Sequence, residues 1–118
     1  MAADFGEYVR RRRETLREAD PEFSVRRVAA RIGVEPSYLS KVERGEQPPP
    51  GEQTIVALAK ELDEDPDILL ALAGKVSAEL QKIIRKRPKV FAELIRELKN
   101  MPDHAVLRLV REVRDGNW

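Results

Sequence analysis

No cysteine occurs in the 118 residues, and histidine occurs once, at His104. Disulfides and thiolate metal sites are thereby excluded, and one imidazole cannot build a histidine-rich metal site. Folding must come from packing alone. No apolar run approaches the roughly 20 residues of a membrane span, and the opening MAADFGEYVRRRRE lacks the apolar centre of a signal peptide. The expectation is a cytoplasmic protein with no membrane partner. A glycine-rich phosphate loop and a clustered carboxylate–histidine set are missing too, so an enzyme is not expected, nor a catalytic residue, metal, cofactor or small-molecule substrate. With no evident sensor domain, any signal is expected to act through a protein partner, proteolysis or expression level.

What is present is 42% hydrophobic and 36% charged residues, a balance typical of a soluble, helix-rich chain. The length suits one small core plus an appendage rather than two ordinary domains. The net charge of +1 hides an uneven distribution. Residues 1–45 carry ten Lys/Arg against eight Asp/Glu, residues 46–74 one against seven, and residues 75–118 eleven against six. A near-neutral total argues against a non-specific nucleic-acid coat, while the grouped cations can face phosphates.

Residues 24–45, SVRRVAARIGVEPSYLSKVERG, hold two short amphipathic segments joined by a tight turn. Val25, Val28, Ala29 and Ile32 fall at helical spacing behind Ser24, which stands where an N-cap belongs. Gly33 can take positive φ after the helix end, and Val34 can tuck beneath the turn. Pro36 opens the second segment where a missing N–H costs nothing, Leu39 and Val42 point inward, and Gly45 ends it. Pro36, Ser37, Ser40, Lys41 and Arg44 point outward. This pattern is a helix-turn-helix, with a second helix whose outer face suits a DNA major groove.

The ending Leu39-Ser40-Lys41-Val42-Glu43-Arg44-Gly45 matches the L-S-x-[IVL]-E-x-G close of the recognition helix in the Cro and phage-repressor class, the XRE family, which residues 5–72 resemble. The resemblance implies base-edge contacts from Pro36, Ser37 and Lys41, with Ser40 close by, and a partly buried ion pair between Arg13 and Glu43 that fixes the first helix against the recognition helix. It also implies five helices before residue 74 and a loop at residues 46–51 that skirts the DNA backbone. That loop, EQPPPG, is one residue longer than the commonest family spacing and has Glu46 where a cation is frequent. On chemistry alone, Lys41 can donate to guanine O6 or N7, Ser37 and Ser40 can read either partner, and Pro36 offers apolar contact to a thymine methyl. Glu35 can accept from cytosine N4 or repel a phosphate. Ser24 with the free N–H groups behind it, Arg26, Arg27 and Arg44 are the candidate phosphate contacts, and Arg10 is a weaker one.

Before this motif, Asp4 is placed as the cap of a first helix running to about Ala19, with Phe5, Val9 and Leu16 inside. The run of arginines at residues 10–13 spreads around that helix, so its members should have different jobs. Residues 19–23 link onward, with Phe23 covering the core. After the loop, residues 52–62 form a helix burying Ile55, Val56, Leu58, Ala59 and Leu62. Asp65 and Pro66 then cap and start a fifth helix, with Ile68, Leu69 and Leu72 inside and Gly74 as its stop. The acidic residues between 61 and 67 should face away from DNA.

Residues 75–118 lie outside the resemblance. Residues 77–86 predict a helix with Leu80, Ile83 and Ile84 inside, broken at Arg87-Pro88. A second helix carries Phe91, Leu94, Ile95 and Leu98 at i, i+3, i+4 and i+7. Asn100-Met101-Pro102 separates it from a last helix with Val106, Leu109, Val110 and Val113 at the same spacing, ended by Gly116. Two such helices on a short turn make a hairpin whose apolar stripes need cover. The hairpin of a second subunit would supply it and give a symmetric dimer, with those eight residues as the interface; alternatively the hairpin folds back on its own first domain. Trp118 is either an interface anchor or a frayed end, and the basic residues 82–89 either touch flanking phosphates or form a solvated face.

The expected fold is all-α: a five-helix repressor-like DNA-binding domain in residues 1–74, then a helical dimerisation or interaction segment in residues 75–118. The expected function is a transcriptional regulator that binds double-stranded DNA as a homodimer, with residues 36–43 in the major groove of an inverted-repeat operator; blocking a promoter is the simplest consequence, and activation is the alternative. The rival is an antitoxin-like or partner-binding module whose C-terminal hairpin binds another protein.

Overall fold

Capping residues and prolines set the helix boundaries. The computed structural model describes residues 2–116, with side chains from Phe5 onward. Its order is α1 (Ala2–Ala19), a 3-10 turn (Pro21–Phe23), α2 (Val25–Ile32), α3 (Pro36–Glu43), α4 (Glu52–Glu61), α5 (Pro66–Leu72), α6 (Ala78–Lys86), α7 (Pro88–Lys99) and α8 (Asp103–Arg114). No strand occurs among the described residues, so the all-α fold expected from the pattern is the fold found. The chain divides into two compact units, residues 1–77 and 78–118. Lys75 Nζ donates to the Pro50 carbonyl at 2.8 Å, which ties the stretch after Gly74 to the first unit.

In the first unit, Phe5 and Val9 of α1 meet Val28 and Ala29 of α2, Leu39 and Val42 of α3, Ile55, Leu58 and Ala59 of α4, the capping Leu62, and Leu69 and Leu70 of α5 in one buried cluster. Leu16, Phe23, Val34 and Leu72 pack on it half-buried. Each large side chain removed from such a core costs roughly 2–5 kcal/mol. Prolines and short acidic caps punctuate the unit. Asp20 Oδ1 accepts from the Glu22 amide at 2.9 Å to start the 3-10 turn, and Asp65 Oδ1 accepts from the Asp67 amide at 2.9 Å to start α5.

Several placements differ from the sequence expectation. The first helix begins at Ala2, so Asp4 lies within its first turn rather than before it, and the Asp4 side chain falls outside the described residues. Val56 and Ile68 are exposed, at 42% and 49%, and Leu70 takes the inner position instead. In a run as uniformly apolar as ILLAL, periodicity does not choose the buried face; the packing of α5 against α4 does. Residues 20–23 are a capped 3-10 turn rather than a plain link.

The second unit is three helices, with α6 packed against α7. None of its residues reaches full burial among those described: Leu80 and Ile83 are exposed, and Ile84 is half-buried. Pro88 starts α7, and Gly116 follows α8 with φ of 68°. Leu94 and Leu98 of α7 and Val106, Leu109, Val110 and Val113 of α8 line an open groove of ≈ 470 Å³. Phe91 is half-buried and Ile95 is 49% exposed, and neither lines the groove. Trp118 lies outside the described residues.

Candidate nucleic-acid interface

The interface is built on the α2–turn–α3 unit. Ser24, extended at φ −65° and ψ 155°, accepts from the Arg27 amide through Oγ at 3.2 Å and so caps α2. Gly33 closes α2 at φ 77°, a region that only glycine enters without cost. The Val34 amide then reaches back to the Ala29 carbonyl at 3.0 Å, which fixes the turn. Glu35 is extended, as a residue before proline must be, and makes no side-chain cap bond. Pro36 is therefore the first residue of α3, and the eight-residue helix presents Leu39, Val42 and Glu43 inward.

Two features of α1 hold α3 from behind. Arg13 Nε and Nη2 donate to Glu43 Oε2 and Oε1 at 2.8 and 2.9 Å, a parallel two-bond pairing that planar guanidinium and carboxylate groups favour. Arg13 Nη1 also donates to the Phe23 carbonyl at 3.1 Å, so the same side chain anchors the 3-10 turn ahead of α2. Gly6 supplies the second feature. A Cβ there would stand 2.2 Å from the Val42 carbonyl oxygen and 2.8 Å from that of Glu43, so α1 rests directly on the C-terminal backbone of α3. Hydrophobic periodicity does not single out Gly6. Its signal was a glycine inside an amphipathic helix, where it costs about 1 kcal/mol relative to alanine and therefore needs a reason.

On the outer side, Ser37 and Lys41 are exposed, and Pro36 and Ser40 are half-buried. They occupy positions i, i+1, i+4 and i+5 of α3 and so share one arc of its surface. Arg26 is exposed on α2, and neither Arg26 nor Lys41 meets an acidic partner among the described residues. Ser24 is half-buried; with its Oγ accepting from Arg27, its hydroxyl proton remains available to donate. The other two candidate cations are paired: Arg27 with Glu22, and Arg44 with Glu46. Both acids were missed as partners, because their places depend on turns that periodicity does not describe.

Four other arginines of the first unit are committed elsewhere. Arg10 pairs with Glu14 at 3.1 Å and Arg11 with Glu7 at 3.0 Å along α1. Arg12 binds the Leu62 carbonyl at 3.0 Å and Glu64 at 3.2 Å. Arg31 joins Glu61 at 2.6 Å and lies 5.5 Å from the Phe23 ring centre, a cation–π distance. Tyr8 donates to Glu64 at 3.1 Å, and its phenol is pushed above its ordinary value by burial first, then by the hydrogen bond and negative charge of Glu64, with Arg12 opposing. Among the described residues, no group of three or more His, Cys, Asp or Glu could hold a metal ion, and no helix is long and apolar enough to cross a membrane.

A capped helix, a glycine turn and a second helix locked from behind with its outer face open define a helix-turn-helix protein. A family model described as a helix-turn-helix domain matches residues 4–72, more than half of the chain, and the chain belongs to that family. No curated protein and no solved structure matches it. The family points to a DNA-binding regulator rather than an enzyme.

Proposed function

We propose that this chain is a sequence-specific repressor of the Cro and phage-repressor class, acting in the cytoplasm as a homodimer on an inverted-repeat operator. The observation that carries the proposal is the division of α3 into two faces. Leu39, Val42 and Glu43 are buried on one side, while Ser37 and Lys41 are exposed on the other. A helix held this rigidly can enter a major groove without rearrangement. Lys41 then donates to a guanine edge, Ser37 and Ser40 read neighbouring groups, and Pro36 packs on a thymine methyl. Ser24 and Arg26, with Arg27 and Arg44, meet the flanking phosphates.

The dimer is supported by the apolar groove between α7 and α8. A stripe of leucine and valine left open to water is unfavourable at about 25 cal/mol per Å², and burying it against its own copy gives the two-fold axis that a palindromic operator mirrors. The two recognition helices would sit about 34 Å apart, one duplex turn. The same groove also fits a different protein chain, and that reading predicts a stable monomer until the partner is added. Sedimentation of the purified protein separates the two.

The test of DNA readout is selection of duplexes from a randomised pool, followed by titration of the selected duplex and a scrambled one with wild type and Lys41→Ala. Wild type should prefer the selected duplex, and Lys41→Ala should lose that preference while keeping its salt dependence. Selection that enriches no sequence overturns the proposal.

A further inference from the structure

The two acids beside the candidate contacts are held in place by the backbone. The Glu46 amide donates to the Lys41 carbonyl at 2.8 Å, and the Gln47 amide reaches the same oxygen at 3.3 Å. The last turn of α3 therefore positions Glu46, whose carboxylate takes Arg44. Glu22 sits in the 3-10 turn with its amide on Asp20, and its two oxygens take Arg27 and Arg31. Helix stability does not account for Glu46. A carboxylate just past a helix C-terminus lies at the negative end of the helix dipole, where it is unfavourable. Both pairs are about half exposed, with side chains between 46% and 57% accessible, so each is weak enough for a phosphate to displace.

We propose that Glu46 and Glu22 are counter-charges that restrain DNA affinity: they occupy Arg44 and Arg27 so that non-specific phosphate contact is discouraged, while Lys41 and Arg26 have no acidic partner among the described residues. This rests on the DNA-binding reading above. On a matching site, the base contacts of α3 hold the protein close enough for phosphates to take the arginines over. On a mismatched duplex the arginines stay with their carboxylates, so binding to non-matching DNA gains nothing from them.

The experiment compares wild type, Glu46→Gln and Glu22→Gln on the selected duplex and on a scrambled one, across a roughly fourfold range of salt. Glu7→Gln is the control, since it removes an equivalent exposed carboxylate from Arg11 on α1 and changes the net charge identically. One added phosphate contact steepens the salt slope by about 0.9, which over that range enlarges the loss of affinity about 3.5-fold. The steepening is expected for Glu46→Gln and Glu22→Gln on the scrambled duplex, with tighter binding to both duplexes and no such change for Glu7→Gln. The thermal midpoint of Glu46→Gln should equal or exceed that of wild type. Equal slopes in all four proteins, or equal steepening in the control, overturn the counter-charge assignment and leave DNA binding intact. Wild type that binds no duplex at the lowest salt overturns both.

Discussion

Arg13 on α1 and Glu43 on α3 face each other with 3% of each side chain exposed, joined by two hydrogen bonds of 2.8 and 2.9 Å. Desolvating two charges costs nearly as much as their attraction returns, so the pair adds little net stability over an apolar substitute. Removing one partner is different. Arg13→Ala or Glu43→Ala strands the other charge and should cost roughly 3–5 kcal/mol in denaturant unfolding. Arg13→Met combined with Glu43→Leu should recover most of that loss. A double variant no more stable than either single one would show that the pair, and not its burial, holds α1 to α3.

Gly6→Ala should destabilise the protein even though alanine is the better helix former by about 1 kcal/mol. The new methyl meets carbonyl oxygens of α3, which cannot rotate away, and overpacking of this kind costs roughly 1–3 kcal/mol. A raised thermal midpoint would mean that α1 does not lie on the end of α3.

Ser24→Ala removes the cap of α2 and should cost about 1 kcal/mol, whereas Ser24→Asp should retain the cap. On the proposed reading the aspartate also places negative charge beside a phosphate. Its DNA affinity should therefore fall while its stability does not, a separation readable from thermal melts and DNA titration of the same samples.

Tyr8 gives the fold a pH dependence at the alkaline end. Its phenol is raised in the folded state above the ordinary value near 10, so the folded protein keeps a proton that the unfolded chain releases. The contribution is fully present below pH of about 10 and is lost as pH rises through the folded-state value. Wild type should lose stability over that window more steeply than Tyr8→Phe. Parallel curves for the two proteins would remove Tyr8 from the account.

Val110→Asp places a carboxylate in the groove between α7 and α8 without disturbing any buried residue, since Val110 is 51% exposed. Sedimentation should show wild type at twice the chain mass and the variant at one chain mass. A variant that stays dimeric would move the proposed interface elsewhere.

Local devices made most of the fold legible in the sequence. Ser24, Gly33, Pro36, Asp65 and Pro66 act through their own backbone or their nearest neighbours, so the helix boundaries around them could be read directly. The inward choice of Leu70 over Ile68 could not, because every side chain in that run is apolar or small and only the α4–α5 contact distinguishes them. On the candidate site, the arc of Pro36, Ser37, Ser40 and Lys41 follows from where α3 begins. The commitments of Arg27 and Arg44 do not. Each depends on a carboxylate that a turn carries into reach, and a turn's path is set by hydrogen bonds between backbone groups rather than by residue type.

If α3 reads a duplex as proposed, its brevity limits what one copy of the protein can know about a genome. Eight residues rising about 1.5 Å each span about 12 Å, or some three to four base pairs of duplex. A fully read base pair carries about two bits, since four pairs are distinguishable in the major groove. One recognition helix therefore supplies about 7 bits, and two copies about 14. Singling out one address among the roughly 10⁶ or more competing sites of a genome takes about 20 bits. On the proposed reading as a dimer on an operator, the shortfall would be met by the stiffness and groove width of the DNA between the half-sites, or by several dimers sharing neighbouring operators.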